Sequence, residues 1–382
     1  MKRQHYEPAH EAYRATVAHY LETEVVPRYR QWVADRIVAR DLYIGLGALG
    51  AFGHGVPAEY GGSGVDDFRY NAILTEEACR LRVFPAIIGP GLVADIILPY
   101  FLTLGNVAQK SRWLPGIVAG ETVLAIAMTE PGTGSDLSGI QTTAVQDGDD
   151  WIVNGTKKFI GNGMNADLIV VAARTGPDRH GGLSLLVVEG DMPGFERARN
   201  LEKVGMHAHN TTELTFTDVR VPAANMLGAP GDGFAGLTRN LAQERVAASV
   251  HAVAGAVSAL SLTEQYVRSR QAFGASIGKQ QHIRFEVATM ATEVDIAQIY
   301  VDRCVTALNE GDLTPVDAAK AKWWTTELLW RVLDAGVQLH GGNGYLPEYP
   351  IAEAWLDSRA QRIYAGSTEI MKDLIGRSMK LG

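Results

Sequence analysis

The sequence predicts an α+β protein in which a β domain lies between two helical domains. Residues 1–120 and 233–382 carry apolar side chains at helical spacing, whereas residues 121–232 hold short β-rich runs between turn clusters. The chain has 382 residues and is 46% hydrophobic, so two or three domains can each bury a core.

The helical zones are predicted from periodicity and from helix boundaries. The acidic pair at 66–67 is expected to cap a helix that runs to Arg82, since Tyr70, Ile73 and Leu74 recur at helical spacing. Three long segments without interior proline predict C-terminal helices: 234–271, 283–310 and 315–340. Because short links join them, these helices are expected to form a four-helix bundle with the remaining C-terminal residues.

The middle zone predicts a β-barrel or sandwich. Its β-rich runs are 123–127, 151–155, 168–172, 183–188 and 213–217. Turn clusters such as 146–150 and 174–178 separate them, and short strands with regular turns are typical of both folds. Residues 222–233 are expected to form the loop that leaves this domain.

Charge and composition exclude several classes of function. The formal net charge is -8, which argues against nucleic acid and anionic membrane surfaces as partners. The longest apolar stretch, Val93 to Tyr100, is interrupted by Asp95 and Pro99, so no membrane span is expected. The polar N-terminus lacks an apolar signal segment, which predicts a cytoplasmic location.

The two cysteines are predicted to be reduced thiols. Cys79 and Cys304 lie far apart in helical patterns, which favours small buried side chains over a disulfide or a metal site. No metal-ligand spacing occurs elsewhere, so no metal is predicted.

A glycine-rich segment follows the first β-rich run of the middle zone. Gly132 and Gly134 allow backbone amides to approach a ligand closely, and Ser135 adds a hydroxyl donor. A surface turn is an equally good interpretation of this composition alone. The Gly-x-Gly-x-x-Gly pattern is absent, so a nicotinamide-binding Rossmann domain has no support.

One glutamate lies on the apolar face of a predicted helix. Leu237, Leu241, Glu244 and Ala248 are spaced by four, three and four residues, which places them on one side. A glutamate on a buried face is costly unless it is paired or used. Glu244 is therefore either half of a buried ion pair, for example with Arg245, or a carboxylate that faces an apolar cleft.

Four motifs resemble those of the acyl-CoA dehydrogenase family. They are Thr-Glu-Pro-Gly-Thr-Gly-Ser-Asp at 129–136, Lys-Lys-Phe-Ile-Gly-Asn-Gly at 157–163, Arg-Ser-Arg-Gln-Ala-Phe-Gly at 268–274 with Gln281, and the block from 338 to 370. Their order and spacing span nearly the whole chain. The resemblance implies an N-terminal helical domain, a middle β domain and a C-terminal four-helix bundle.

The resemblance also implies FAD, held across a subunit interface. The implied cofactor-binding residues are Met128, Thr129, Gly134, Ser135, Phe159, Ile160, Gly161, Arg270, Phe273, Gln281, Gln338, Gly341, Gly342, Ser367 and Glu369. Among them, Arg270, Phe273 and Gln281 are expected to reach the FAD of a neighbouring subunit. The implied substrate-binding residues are Ser135, Arg245, Tyr364 and Gly366.

Two departures from the family pattern concern the catalytic base. Ala365 occupies the position where many members carry their catalytic glutamate. Glu244 matches the position of the base in the long-chain and isovaleryl-CoA dehydrogenases, which have Gly or Ala at the position that corresponds to Ala365. The chain is therefore expected to use Glu244 as its base, while the backbone amide of Ala365 hydrogen-bonds the thioester oxygen.

Two further departures lie near the expected flavin. Gly161 stands where relatives have Thr or Ser, whose hydroxyl donates toward flavin N5, so a backbone amide or water would have to substitute. His207 and His209 replace small polar residues, and they either line a solvent loop or touch the ligand.

The predicted function is FAD-dependent α,β-dehydrogenation of an acyl thioester, either an acyl-CoA or an acyl carrier protein. Electrons would pass to an electron-transferring flavoprotein or a similar acceptor, and the protein would be a homo-oligomer. An acyl-CoA oxidase or flavin monooxygenase on the same fold is one alternative, and a non-catalytic flavin-bearing scaffold is another.

Overall fold

The computed structural model describes residues 3–380, and its N-terminal part is helical. Its helices are α1 (Pro8–Tyr20), α2 (Val26–Asp35), α3 (Asp41–Ala48), α4 (Arg69–Arg80), α5 (Phe84–Gly91), α6 (Leu98–Leu104) and α7 (Val107–Val118). A π-helical segment, Leu92–Ile97, joins α5 to α6, so residues 84–104 form one continuous helix. We call this element the central helix.

The acidic pair before α4 fulfils its predicted capping role only in part, because the N-cap residue is Phe68, which makes no side-chain cap hydrogen bond. The Asp67 carboxylate accepts the backbone N–H of Arg69 at 3.0 Å and also accepts the Asn309 side-chain amide at 2.6 Å. The helix begins at Arg69 and ends at Arg80, within two residues of the predicted end. Asp67 therefore fixes the start of α4 and ties it to the C-terminal helices.

The middle part is one mixed β-sheet. Its strands are β1 (Leu124–Ala127), β2 (Thr143–Asp147), β3 (Asp150–Gly161), β4 (Leu168–Arg174), β5 (Leu183–Glu189), β6 (Phe195–Asn200), β7 (Thr211–Pro222) and β8 (Met226–Leu227). The order is β6-β7-β3-β2-β4-β5-β8, and β1 pairs in parallel with β4. Alternate residues such as Val153, Leu186 and Phe216 pack into one apolar core, which is the period-two pattern of strands.

All five predicted runs are strands, whereas β2, β6 and β8 were not predicted. β2 and β6 are mostly polar and largely exposed, so their sequences carry little apolar alternation. β8 has only two residues. Pairing with longer neighbours, and not local pattern, makes these segments strands.

The C-terminal part is a helical bundle. Its helices are α8 (Gly233–Ser269), α9 (Gln281–Glu310), α10 (Pro315–His340), α11 (Pro350–Ser358) and α12 (Thr368–Ser378). A hairpin of β9 (Gln271–Ala272) and β10 (Ala275–Ser276) links α8 to α9. Val253, Val294 and Leu329 share one core between the three long helices. The predicted α+β fold with two helical parts around a β part is confirmed.

Two helical segments have the length and apolar composition of a membrane span, which alone does not identify one. They are Phe84–Leu104 and Gly233–Ser269, and their apolar windows are 56% and 61% buried inside the protein. Asp95 and Pro99 lie within the central helix without interrupting it. Core helices meet the same criterion, and both segments pack against other elements of the fold.

Candidate active site

A buried carboxyl group on α8 is the centre of the site. The Glu244 side chain lies on the inner face of α8, and the residue is only 4% exposed. The Tyr100 hydroxyl of the central helix donates to its carboxylate at 3.0 Å. Within residues 3–380, no basic side chain comes within ion-pair distance of Glu244. Glu244 is therefore not half of a buried ion pair among the described residues.

Burial sets the proton affinity of this carboxyl group. It raises the pKa of Glu244 to about 7, against the opposing effects of the Tyr100 hydroxyl and the Arg245 guanidinium. Burial also raises the pKa of Tyr100, so the phenol keeps its proton and remains the donor. A carboxylate with a pKa near neutrality is suited to act as a general base.

Unpaired polar groups accompany Glu244 on α8. The Arg245 Nε and the Asn240 side-chain nitrogen are buried and have no hydrogen-bond partner within the described residues. Asn240 lies four residues before Glu244, so both point to the same side of the helix. Buried donors of this kind are usually satisfied, and a bound ligand can satisfy them.

The turn before α12, residues 364–367, is bound to α10 by a buried lysine. Lys322 is 0% exposed, and its Nζ donates to the Gly366 carbonyl at 2.5 Å. Burial and the nearby Arg245 charge lower the pKa of Lys322 to about 8. Ala365 and Gly366 both have positive φ, at 53° and 89°, so the lysine holds an unusual backbone conformation in place. We call residues 364–367 the C-terminal turn.

A second buried lysine fixes the glycine-rich loop to the end of β3. Lys157 Nζ pairs with Glu130 at 2.9 Å and donates to the Met128 carbonyl at 3.1 Å. The backbone N–H of Lys158 donates to the Thr129 carbonyl at 2.8 Å. The segment at 128–130 therefore lies directly beside the strand that carries residues 159–161.

These residues fit the FAD that the sequence implies. Phe159 has φ of 62° and is 62% exposed, so an aromatic face is available for a planar ring. A side chain added at Gly132 or Gly134 would meet no atom within 4 Å, so the backbone of this loop borders open space. Ser135 is exposed in the same loop, whereas Ile160 is buried in the β core and offers only its backbone.

The space beside Gly161 is already filled. A Cβ on Gly161 would lie 2.5 Å from Leu92 Cδ1 and 2.9 Å from His209 Nε2. His209 is 8% exposed, so its interpretation as a solvent-loop residue is wrong. His207 is half-buried in the same loop.

The central helix connects the two halves of the site. Leu92 packs beside Gly161, and Tyr100 binds Glu244. These two contacts are about 12 Å apart along the helix, at about 1.5 Å of rise per residue. The helix thus borders both the expected flavin strand and the candidate base.

Six of the predicted cofactor-binding residues lie at the opposite end of the bundle. Arg270 follows α8, roughly 40 Å along the helix from Glu244 at about 1.5 Å per residue. Tyr266 donates to the His340 carbonyl at 3.1 Å and so brings the end of α10 to the same region. This group, which we call the distal group, consists of Arg270, Phe273, Gln281, Gln338, Gly341 and Gly342. Its members do not approach Glu244 within one chain.

The C-terminal turn and its helix carry the other predicted residues. Ser367 caps α12 by accepting the Ile370 N–H at 3.4 Å, and Glu369 is exposed in the first turn of that helix. Tyr364 is partly exposed.

Sequence reasoning missed Tyr100, Lys322 and the contact of His209. Lys322 had a detectable signal, because it shares a helical face with Ala318, Thr325 and Leu329, which are all buried. Tyr100 and His209 gave no such signal, since their partners are distant in sequence.

Comparisons with known proteins agree with this fold. Residues 7–121, 125–219 and 231–380 match the N-terminal, middle and C-terminal domains of acyl-CoA dehydrogenase. The chain is 38% identical over 375 residues to the mitochondrial long-chain specific acyl-CoA dehydrogenase of Sus scrofa, covering 97% of this chain and 86% of that protein.

Solved structures agree as well. The structure of an acyl-CoA dehydrogenase from Geobacillus kaustophilus matches with a TM-score of 0.96 and 45% identity, covering 99% of this chain and 100% of that one. A glutaryl-CoA dehydrogenase from Mycobacterium smegmatis, solved in complex with FADH2, matches with a TM-score of 0.89 and 25% identity over 98% of this chain and 95% of that one. The chain therefore belongs to the acyl-CoA dehydrogenase family, and it is an FAD-dependent enzyme that dehydrogenates acyl thioesters.

Proposed function

We propose that Glu244 is the base that removes the α proton of the acyl thioester. The observation that carries this proposal is a buried carboxyl group with a pKa near 7 and no ion-pair partner. When bound, FAD would supply the acceptor for the β hydrogen, which leaves the acyl group as hydride. Met128, Thr129, Phe159 and the backbone of residues 160–161 would hold its ring system.

The surrounding residues of this chain orient the acyl group and the base. Tyr100 holds one carboxylate oxygen of Glu244, which leaves the other oxygen free to take the proton. The Ala365 N–H is proposed to donate to the thioester oxygen, where negative charge develops as the proton leaves. Lys322 keeps the Ala365 N–H in place, because it binds the carbonyl of the following residue, Gly366. The buried position of Glu244 and Arg245 keeps water away from the reacting carbon.

We further propose that the enzyme is a homo-oligomer. The distal group lies too far from Glu244 to share one FAD with it, so it is expected to serve the FAD of a neighbouring subunit. Phe273 supports this assignment, since it is 95% exposed at the tip of the hairpin after α8. Phe285, Ile296 and Ile299 form an exposed apolar stripe on α9 that a second copy would cover.

An electron-transferring flavoprotein or a similar protein is the proposed electron acceptor, and the cytoplasm is the proposed location. Neither nucleic acid nor a membrane is proposed as a partner, because the net charge of -8 disfavours both polyanions.

The test of the base is Glu244→Gln, measured by the reduction of a dye acceptor with a series of acyl-CoA and acyl carrier protein thioesters. Because a general base contributes about 10²–10⁴-fold, we expect kcat to fall by about three orders of magnitude while FAD stays bound. Glu264→Gln is the matched control, since it makes the same chemical change on the same helix, far from the site.

A near-normal rate in Glu244→Gln would contradict the assignment. Adding Ala365→Glu to that variant returns a carboxylate to the C-terminal turn, and we expect partial recovery of activity. Stopped-flow reoxidation of the reduced enzyme by air separates a dehydrogenase, which reacts slowly with oxygen, from an oxidase.

A further inference from the structure

The contact between Gly161 and His209 carries an inference about the flavin site. Gly161 is the last residue of β3, and a Cβ built on it would lie 2.9 Å from His209 Nε2 and 3.2 Å from His209 Cε1. The imidazole thus occupies the volume that any side chain at position 161 would enter. Leu92 of the central helix closes the other side of this volume.

The imidazole is held in place by the backbone around it. Lys203 Nζ donates to the His209 carbonyl at 2.6 Å, and the His209 N–H donates to the Met206 carbonyl at 3.1 Å. Met206 has φ of 54°, and its N–H donates to the Asp357 carboxylate. The loop is therefore fixed on both sides of the ring, which gives the imidazole a defined direction.

The ring itself has unused hydrogen-bonding capacity. Burial, reinforced by the nearby Lys203 charge, lowers the pKa of His209 to about 3, so the imidazole is neutral and carries one donor and one acceptor nitrogen. Neither ring nitrogen makes a hydrogen bond within residues 3–380. Neither ring nitrogen is fully enclosed by the protein, so the oriented, unpaired imidazole can hydrogen-bond a group that is not part of this chain.

We propose that the neutral imidazole of His209 hydrogen-bonds the flavin of FAD at the place where Gly161 has no side chain. This inference rests on the proposed FAD site at residues 128–129 and 159–161. It makes the residues at positions 161 and 209 a matched pair, in which glycine at one position leaves room for histidine at the other. A role of His209 as a space filler only is the opposing interpretation.

The first experiment compares His209→Leu with His209→Gln in the FAD-loaded enzyme. Both keep much of the side-chain volume, but only glutamine keeps polar atoms that can bind the flavin. FAD content, the visible flavin spectrum and the reduction potential are measured without any acyl substrate. His207→Leu, in the same loop, is the control, and it should leave all three unchanged.

We expect His209→Leu to shift the visible bands and to change the two-electron reduction equilibrium about tenfold, which is about 30 mV. His209→Gln should stay within about threefold of the wild type. An unchanged spectrum and potential in His209→Leu would overturn the proposal. Loss of FAD from His209→Leu alone would support a polar contact, whereas loss from both variants would indicate packing and overturn it.

The second experiment tests the matched pair. Gly161→Ser should lower FAD occupancy, because its Cβ would meet both the Leu92 methyl and the imidazole. The Leu92 methyl is the end of a flexible side chain and can move aside, so Gly161→Ser with His209→Ala should restore occupancy. Normal FAD binding and potential in Gly161→Ser alone would show that the contact is loose and would overturn the proposal. Since no thioester is used, an error in the proposed base or substrate does not affect either result.

Discussion

Glu244→Gln should make the protein more stable at alkaline pH as well as inactive. The substitution preserves side-chain shape, and the amide oxygen of glutamine can still accept the Tyr100 hydroxyl. What it removes is the requirement to bury a negative charge. The gain in stability should therefore appear only at a pH where the wild-type carboxyl group is ionised.

The magnitude follows from the pKa. The folded-state pKa of Glu244 is raised from 4.5 to about 7, and one pKa unit corresponds to about 1.4 kcal/mol, so ionisation costs the fold roughly 3 kcal/mol. Between these two pH values the folded state holds a proton that the unfolded state has lost. The unfolding free energy of the wild type must therefore fall as pH rises through this window, and most of the loss develops between pH 5 and pH 8.

Thermal unfolding of the FAD-saturated proteins at a series of pH values measures this effect. At about 2.1 cal/mol/K per residue, 382 residues have an unfolding entropy of roughly 0.8 kcal/mol/K, so the full effect is about 4 °C in Tm. Glu264→Gln should show no comparable pH dependence, because it disrupts only a surface ion pair with Arg268. A Tm difference between Glu244→Gln and wild type that stays constant from pH 5 to pH 8 would refute a buried carboxyl group of raised pKa.

Three further substitutions test the groups around the site. Tyr100→Phe removes a hydrogen-bond donor that lowers the pKa of Glu244. The acid limb of the pH profile of kcat/KM should therefore move to higher pH by about one unit. An unmoved limb would show that the hydroxyl does not act on the base. Lys157→Met leaves the Glu130 charge buried without its ion-pair partner, which should cost the fold about 3–5 kcal/mol and release FAD. Tm measures the first effect, and flavin absorbance after gel filtration measures the second. An unchanged Tm together with full FAD retention would contradict this role of Lys157. Lys322→Met removes the hydrogen bond that holds the C-terminal turn. We expect KM for the acyl thioester to rise about tenfold at unchanged FAD content. An unchanged KM would mean that the turn keeps its shape without the lysine.

The elements that local sequence could predict were those with strong periodicity. The long C-terminal helices agree closely with prediction, and α10 begins at Pro315 and ends at His340 as expected. The α8 helix ends two residues before the predicted end, because the chain turns into the hairpin after Ser269. The polar strands β2 and β6 were missed because sheet partners, which are distant in sequence, determine them.

The sequence predicted the residues of the candidate site better than it predicted the contacts between them. Glu244 could be placed on a buried face from spacing alone, but its partner could not be chosen without the fold. Gly161 was recognised as a departure from the family pattern, yet only tertiary structure shows that His209 fills the space beside it. Each of these contacts joins residues from separate parts of the chain, so no local pattern encodes them.

The separation of the distal group from Glu244 has a consequence for handling this protein. If each FAD needs residues from two subunits, cofactor retention and subunit association are one linked equilibrium governed by mass action. Dilution would then strip flavin from the enzyme, and added FAD would drive assembly. Apparent affinity for FAD would depend on protein concentration, so activity lost at low enzyme concentration would reflect dissociation and not a defect in chemistry.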